Sequence, residues 1–583
     1  MDVFLPICNM PCRNARACCV SFTWLVMSWV LLALPLPIVN AQDGPSLIIP
    51  DPETGEVGPA NVAPAQPQFS PPVLKPTLPQ LPIFNAPNRV EPMRPQLPVT
   101  PIPQPEVIGA GEEIMTSDGL YAQIAGLRSV YGGVDYDVPL REKAEFFEQT
   151  LWQYHLTPYN QVHHFVILPQ TPGERFDYRY GSDVSTWNGA LLAALSLKYA
   201  VTKDPVTLAR IETLIEGLHF YQSVTGAPGL LARCVMQSDE PVHKCTRQYI
   251  SPEGTSYFYR TDPAKGTYNQ VVCGYISYFL FAASDCRPEI QALAREDLSK
   301  ICWRVVKYKY ELREADRSKT QYGDMRPLIG NKSVPFNAQV AYLIVSAGQH
   351  FQGSDQTIRD MVWKEFRKLR VEHHVYYENP LRHLIVPQRV GFNPIVKGMN
   401  DRNHVMNAAF WGVMLELFRQ KSENVDLDKK FCHELGQSMF WTMERIAGDR
   451  NALCNFMWTG MLTQPEMLQT IIPEHQARVA QQMPILTRDG IEQLRRFRLD
   501  RFSYTGERVE TPGPTWVDVR QAKDCYYWKS DPKLAWKFTG ERSDAHTCSI
   551  DYLFAYWMMR FFRLDEQYAQ WFPGDPILTL MEK

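Results

Sequence analysis

The chain's 583 residues exceed what one hydrophobic core usually serves, although a large helical barrel can reach that size as a single domain. With 60 Lys and Arg against 63 Asp and Glu the formal charge is −3, so no basic excess exists to neutralise a phosphate backbone, and no nucleic-acid partner is expected. Aromatic residues make up 12%, enough for some rings to serve a sugar-binding surface as well as the core.

The N-terminus reads as a targeting segment. Arg13 and Arg16 precede an apolar run from Cys18 to Leu34, which Pro35 and Pro37 break before Val39-Asn40-Ala41. That order is a basic region, an apolar region and a small-residue cleavage site, so residues 1–41 are expected to be a signal peptide cut after Ala41. The run is near the lower limit of about 17 residues for a membrane span, and an uncleaved membrane anchor is the alternative. Either way the chain is expected to be exported: periplasmic, secreted or attached to the envelope through its N-terminus. Of 13 cysteines, Cys8, Cys12, Cys18 and Cys19 fall in this segment. The other nine show no paired CxxC spacing, so neither a metal nor another cofactor is expected. Cys273 and Cys454 lie in apolar helical runs as core thiols. Cys234 and Cys245 flank a polar loop and could close it as a disulfide in an oxidising compartment.

Residues 42–110 are expected to be a proline-rich, disordered linker. Between Pro45 and Pro105 lie 18 of the 45 prolines, and proline fixes φ and removes a donor, so this stretch reads as an extended spacer.

From Val138 onward long helices of two kinds alternate. One kind is amphipathic. After Asp204-Pro205, a capping residue and a proline at the first helical position, come Leu208, Ile211, Ile215 and Leu218, with Arg210, Glu212 and Glu216 opposite. The other kind is apolar nearly all round, as in the run from Gly189 to Ala200, and must be buried on every side. The pattern predicts six buried helices, near 185–200, 267–283, 335–348, 403–419, 451–464 and 547–562. It predicts six half-buried ones, near 138–155, 205–224, 287–312, 355–378, 427–446 and 466–482. Such an alternation closes as a double-layered ring, giving an all-α toroid of six inner and six outer helices over residues 111–583.

Gly181-Ser-Asp-Val-Ser-Thr-Trp-Asn-Gly-Ala190 and Thr225-Gly-Ala-Pro-Gly-Leu-Leu-Ala-Arg233 resemble the six-hairpin glycosidase superfamily, whose members fold as α/α toroids. The resemblance is architectural over roughly 137–565. It implies a carbohydrate-active domain and transfers no catalytic pair.

In a toroid the inner helices begin at one mouth, where unpaired N–H groups and positive dipole ends face a shared funnel. The residues there are Asp183, Trp187 and Asn188; Tyr268, Asn269 and Gln270; Asn337 and Gln339; Asp401, Asn403, His404 and Asn407; Asn451 and Asn455; and Ser549, Asp551 and Tyr552. Repeated amides offer donors and acceptors suited to sugar hydroxyls, although Asp and Asn at helix starts also serve as caps. Glycoside hydrolysis needs two carboxyl groups across the scissile bond. Asp183 and Asp324 are the candidate pair, with Asp401 and Asp551 in reserve. Trp187, Asn188, Tyr268, Asn269, Gln270, Asn337, Asn403, His404 and Asp551 are the candidate substrate contacts. The aromatic clusters Tyr257-Phe-Tyr259 and Tyr526-Tyr-Trp528 could stack sugars or pin their loops.

A lyase reading would draw on His163, His164, Arg179, Tyr180, Tyr268, Asn403 and His404 for proton abstraction and uronate neutralisation. H-E-x-x-H, G-x-x-x-x-G-K-[ST] and G-x-S-x-G are all absent from the sequence. The expectation is an exported glycoside hydrolase acting on an oligo- or polysaccharide. A polysaccharide lyase, or a non-catalytic envelope protein that binds glycan or serves as a scaffold, is the alternative.

Overall fold

The computed structural model describes residues 116–581, apart from 172, 173, 175, 179–182, 243, 327, 330, 331, 334, 370–398, 427, 447–449, 472 and 511–533. The expected signal segment and linker, together with Tyr526-Tyr-Trp528, lie outside these residues. The chain divides into two units, Met1–Leu74 and Lys75–Lys583, and every described residue belongs to the second.

The protein is all-α in class, with little strand. Fifteen α-helices lie among the described residues: α1 (Ser117–Val130), α2 (Leu140–Thr150), α3 (Val184–Thr202), α4 (Pro205–Ser223), α5 (Lys265–Phe281), α6 (Pro288–Lys307), α7 (Pro335–His350), α8 (Gln356–Arg367), α9 (Met399–Glu423), α10 (Lys429–Ile446), α11 (Ala452–Leu462), α12 (Pro465–Thr470), α13 (Pro473–Arg495), α14 (Ile550–Phe561) and α15 (Leu564–Trp571). The six apolar runs become α3, α5, α7, α9, α11 and α14. In α11 every residue from Ala452 to Leu462 is buried, as a helix without a polar face requires.

Contacts follow the alternation. Helix α3 packs on α5, α5 on α7, α7 on α9, α9 on α11, α11 on α14, and α14 back on α3. The amphipathic helices lie against this set, α2 on α14, α4 on α3, α8 on α7, α10 on α9 and α13 on α11. Helices α3 and α5 meet backbone to backbone. A Cβ on Gly189 would stand 2.7 Å from the Val271 Cα, and one on Gly274 would stand 2.5 Å from the Gly189 carbonyl oxygen. Only glycine fits such a crossing.

Helix ends obey local chemistry. The Asp204 carboxylate accepts from the Val206 and Thr207 amides at 3.1 Å each, and Pro205 opens α4. Two boundaries differ from the sequence reading. Helix α6 stops at Lys307, because Lys309 and Tyr310 take positive φ and the chain turns into a strand. The expected 466–482 helix is two helices, α12 and α13, with Pro473 restarting the chain after Ile471 leaves helical geometry. Helix α8 runs to Arg367 among the described residues, and the rest of the expected 355–378 helix from residue 370 lies outside them.

The connections carry strands the sequence reading treated as loops. Strands β1 (Phe165–Ile167), β2 (Asp177–Tyr178), β10 (Phe502–Glu510) and β11 (Leu534–Thr547) form an antiparallel sheet in the order β10-β11-β1-β2, with Phe165 opposite Thr547. Strands β3 (Cys234–Gln237), β4 (Arg247–Ile250) and β5 (Ser256–Arg260) form a second, β5 in the middle. Hairpin β6 (Glu311–Arg313) with β7 (Lys319–Asp324) precedes the short pair β8 (Leu328–Ile329) and β9 (Lys332–Ser333), which leads into α7. Cys234 and Cys245 are buried thiols that form no disulfide with each other, and the Cys245 Sγ lies 4.0 Å from the Cys234 carbonyl. Among the described residues no helix is long and apolar enough to cross a membrane.

Candidate functional site

Asp183 occupies the N-cap position of α3, yet its side chain makes no capping hydrogen bond. It turns instead to Arg233, whose Nη2 donates to Oδ1 at 2.5 Å. The Arg233 Nη1 donates at 3.3 Å to the Asp262 carbonyl, just before α5. In the first turn of α5, the Lys265 ammonium donates to the Asn337 Oδ1 at 3.0 Å, joining this helix to the start of α7. Asn269, one turn further on, donates to the His404 ring and carbonyl at 3.3 Å each, joining α5 to α9. The Thr186 hydroxyl donates to that of Thr267 at 3.1 Å and ties α3 to α5 at the same level. The beginnings of α3, α5, α7 and α9 therefore meet at one polar end.

His404 lies directly against Gly266, and a Cβ there would collide with the ring. Burial pushes the His404 imidazole down to about 4; the Lys265 charge adds to the effect and Asp183 opposes it. The ring is therefore neutral near pH 7 and can accept or donate one proton in a hydrogen bond. Trp187, one turn into α3, is 7% exposed and has one face covered by His164, with ring centroids 5.6 Å apart and planes at 22°. That geometry leaves little of the indole for a sugar.

Asp324, at the end of β7, is held by a two-pronged contact from Arg326, Nε to Oδ1 at 3.0 Å and Nη2 to Oδ2 at 2.7 Å. Burial works to raise its pKa, but the Arg326 hydrogen bonds and charge, with Lys265, outweigh that and hold it below the usual carboxylate range. A general acid needs the opposite shift.

Four other candidates do not join this network. The Asn188 amide is buried and pins a neighbouring loop, accepting from the Val162 amide at 2.9 Å and donating to the Val162 and Val184 carbonyls at 2.8 Å. The Tyr268 hydroxyl donates to the Gly229 carbonyl at 2.6 Å and accepts from the Leu231 amide at 3.3 Å, and burial raises its pKa well above the ordinary tyrosine value. Gln270 is fully buried, and its amide makes no hydrogen bond among the described residues. Asp551 is sealed against Arg501, at 2.9 and 3.1 Å. Tyr268, Asn269 and Gln270 diverge because consecutive helical residues are about 100° apart around the axis, so of three in a row Asn269 alone faces the shared end. Asn403 and Asp401 lie on α9 with side chains outside the described residues, as are Arg179 and Tyr180 altogether. Asn451 is a plain cap, accepting from the Cys454 amide at 3.0 Å. His163 is packed between the rings of Tyr159 and Tyr178. Tyr257 stacks into Tyr159, Phe220 and Tyr249, which pins its loop.

Sequence reasoning missed Arg233, Lys265 and Arg326. A signal for Lys265 was present: a cation in the first turn of a helix opposes the macrodipole and calls for a local partner. Among the described residues no group of three or more His, Cys, Asp or Glu is placed to hold a metal ion. No family model, curated protein or solved structure matches the chain.

Proposed function

We propose that this protein is an exported carbohydrate-active protein built as an α/α toroid, and that it hydrolyses an oligo- or polysaccharide at the end where the inner helices begin, with Asp183 as its reacting carboxylate. The toroid is supported by the cyclic packing of α3, α5, α7, α9, α11 and α14 within a layer of amphipathic helices. Export is supported by the basic, apolar and small-residue order of residues 1–41. One observation carries the site: an aspartate at a helix start that does not cap its helix, 20% exposed, faces Arg233 among amides and cations drawn from three further helix starts. Such a set is polar and charged, and places one carboxylate beside an arginine at a helix start.

The contact that Arg326 makes with Asp324 favours a second reading, in which the protein binds glycan without cleaving it. Hydrolysis needs a second carboxyl that can be protonated, and an arginine-locked carboxylate is a poor proton donor. Elimination has less support, since the Tyr268 hydroxyl is sealed and spent on backbone groups. The test is a panel of polysaccharides offered to the full chain, with reducing ends and unsaturated products measured beside calorimetric binding. New reducing ends without an ultraviolet-absorbing product support hydrolysis, and binding without product supports the second reading. Absence of binding and product across the panel would remove carbohydrate from the account.

A further inference from the structure

Beside the polar end lies a cavity of about 310 Å³, walled by the β3-β5-β4 sheet and by the β6-β7 hairpin. This volume is at the lower end of ligand pockets, about 300–1,000 Å³. Its lining is unusually cationic for a chain of net charge −3: Lys244, Arg247, Arg260 and Lys319 face Asp262 and Glu314, an excess of two positive charges.

The two acids are largely committed to the fold. The Glu314 Oε1 accepts from the Asp262 amide at 2.5 Å, and the Asp262 Oδ1 accepts from the Gln321 amide at 2.7 Å. Three of the four cations are ion-paired at the cavity wall. Arg260 pairs with Asp262 at 3.6 Å, and Arg247 stands 3.3 Å from Glu314, outside the 2.7–2.9 Å of a strong charged hydrogen bond. Lys319, 62% exposed at the rim, donates to the Glu311 carboxylate at 2.9 Å, and Lys244 has no ion-pair partner among the described residues. A concave, cation-lined wall concentrates field toward an anion. The hydroxyls of Thr246, Thr261 and Tyr259 line the same cavity and suit a ligand that carries hydroxyl groups as well. Through Arg233 the cavity borders the candidate site, since Arg233 bonds both Asp183 and the carbonyl of the lining residue Asp262.

We propose that this cavity is an anion subsite that receives a carboxylate or phosphate group carried on a glycan. The proposal rests on the carbohydrate reading and adds charge to the ligand. The experiment is calorimetry on the full chain with four probes: an oligouronide, its carboxyl-reduced neutral counterpart, a hexose phosphate and inorganic phosphate. Wild-type protein and the double variant Lys244→Ala with Lys319→Ala are compared, because exposed rim lysines can be removed without disturbing the core.

The expected result is that the oligouronide or the hexose phosphate binds at least tenfold more tightly than the neutral oligosaccharide. That preference should weaken with added salt and disappear in the double variant, and the probe that binds identifies the acidic group. Equal affinity for charged and neutral oligosaccharides, unchanged in the variant, would overturn the subsite and leave the carbohydrate reading intact. Binding of inorganic phosphate but of no sugar would overturn it as a glycan subsite, and binding of none of the four probes would overturn it outright.

Discussion

The starts of α3 and α14 bear the same residue type and put it to opposite uses. Asp183 and Asp551 each stand at the beginning of an apolar helix, and each is paired with an arginine from a connecting segment. The Asp551 and Arg501 side chains are 1% and 0% exposed, beneath the β10-β11-β1-β2 sheet, with Arg501 just before β10. Asp183 is 20% exposed, and Arg233 is shared with the Asp262 carbonyl. A buried pair is difficult to break because the survivor remains as an uncompensated charge, whereas a pair at an open end can exchange one partner for water or ligand. Position along a helix therefore does not reveal function; what covers the carboxylate does.

The largest effect should come from breaking the sealed pair. Asp551→Ala is expected to destabilise the protein by about 3–5 kcal/mol, read from the denaturant midpoint, because Arg501 is left charged in the interior. A loss below about 1 kcal/mol would show that the two pairs do not differ as described.

Acid should act through the buried histidines of both regions. Burial pushes the His155 ring down to about 3 and the His546 ring well below its ordinary value; the two rings contact each other at 2.9 Å. His404 is likewise held at about 4 by burial and by Lys265. The unfolded chain takes up protons on these rings below about 6.5, while the folded chain resists until far lower pH. Their contribution to stability is therefore present above about 6.5 and is lost as pH falls toward the folded values. Equilibrium unfolding from pH 7 to 4 should show declining stability, and His404→Gln should flatten part of the slope. An unchanged slope would mean that His404 already titrates normally in the fold.

Gly266→Ala sharpens the comparison at the open end. The new methyl group collides with the His404 ring, and overpacking of this kind costs about 1–3 kcal/mol. Binding of glycan should fall more steeply than stability, because Asn269 loses its partner across α5 and α9. Loss of stability with unaltered binding would place His404 outside the site. The smallest effect on stability should be that of Asp183→Asn, about 1 kcal/mol or less, since Arg233 keeps its bond to the Asp262 carbonyl.

The helices were legible because apolar periodicity and the Asp204-Pro205 start are local signals. The strands were not: Phe165 pairs with Thr547 from far along the chain, and the local pairs β6-β7 and β8-β9 are too short to alternate clearly. The same limit governs the site. Asp183, Asn269, Asn337 and His404 could be named from their helix starts, but the divergence of Asn188, Tyr268 and Gln270 is rotational and needs the packing partner of each helix face. Arg233 and Lys265 are harder to read from sequence, because the cations that gather at this end come from a loop and from a position the helix dipole disfavours.

The most direct test compares wild-type protein with Asp183→Asn, measuring glycan binding by calorimetry and product by reducing ends on whichever polysaccharide the wild type cleaves. The amide keeps the shape of the carboxylate but can neither attack nor carry a proton in its place. The account expects turnover to disappear while affinity and the denaturant midpoint stay close to wild type. Undiminished turnover in Asp183→Asn would contradict it, and so would a collapse in stability matching that of Asp551→Ala.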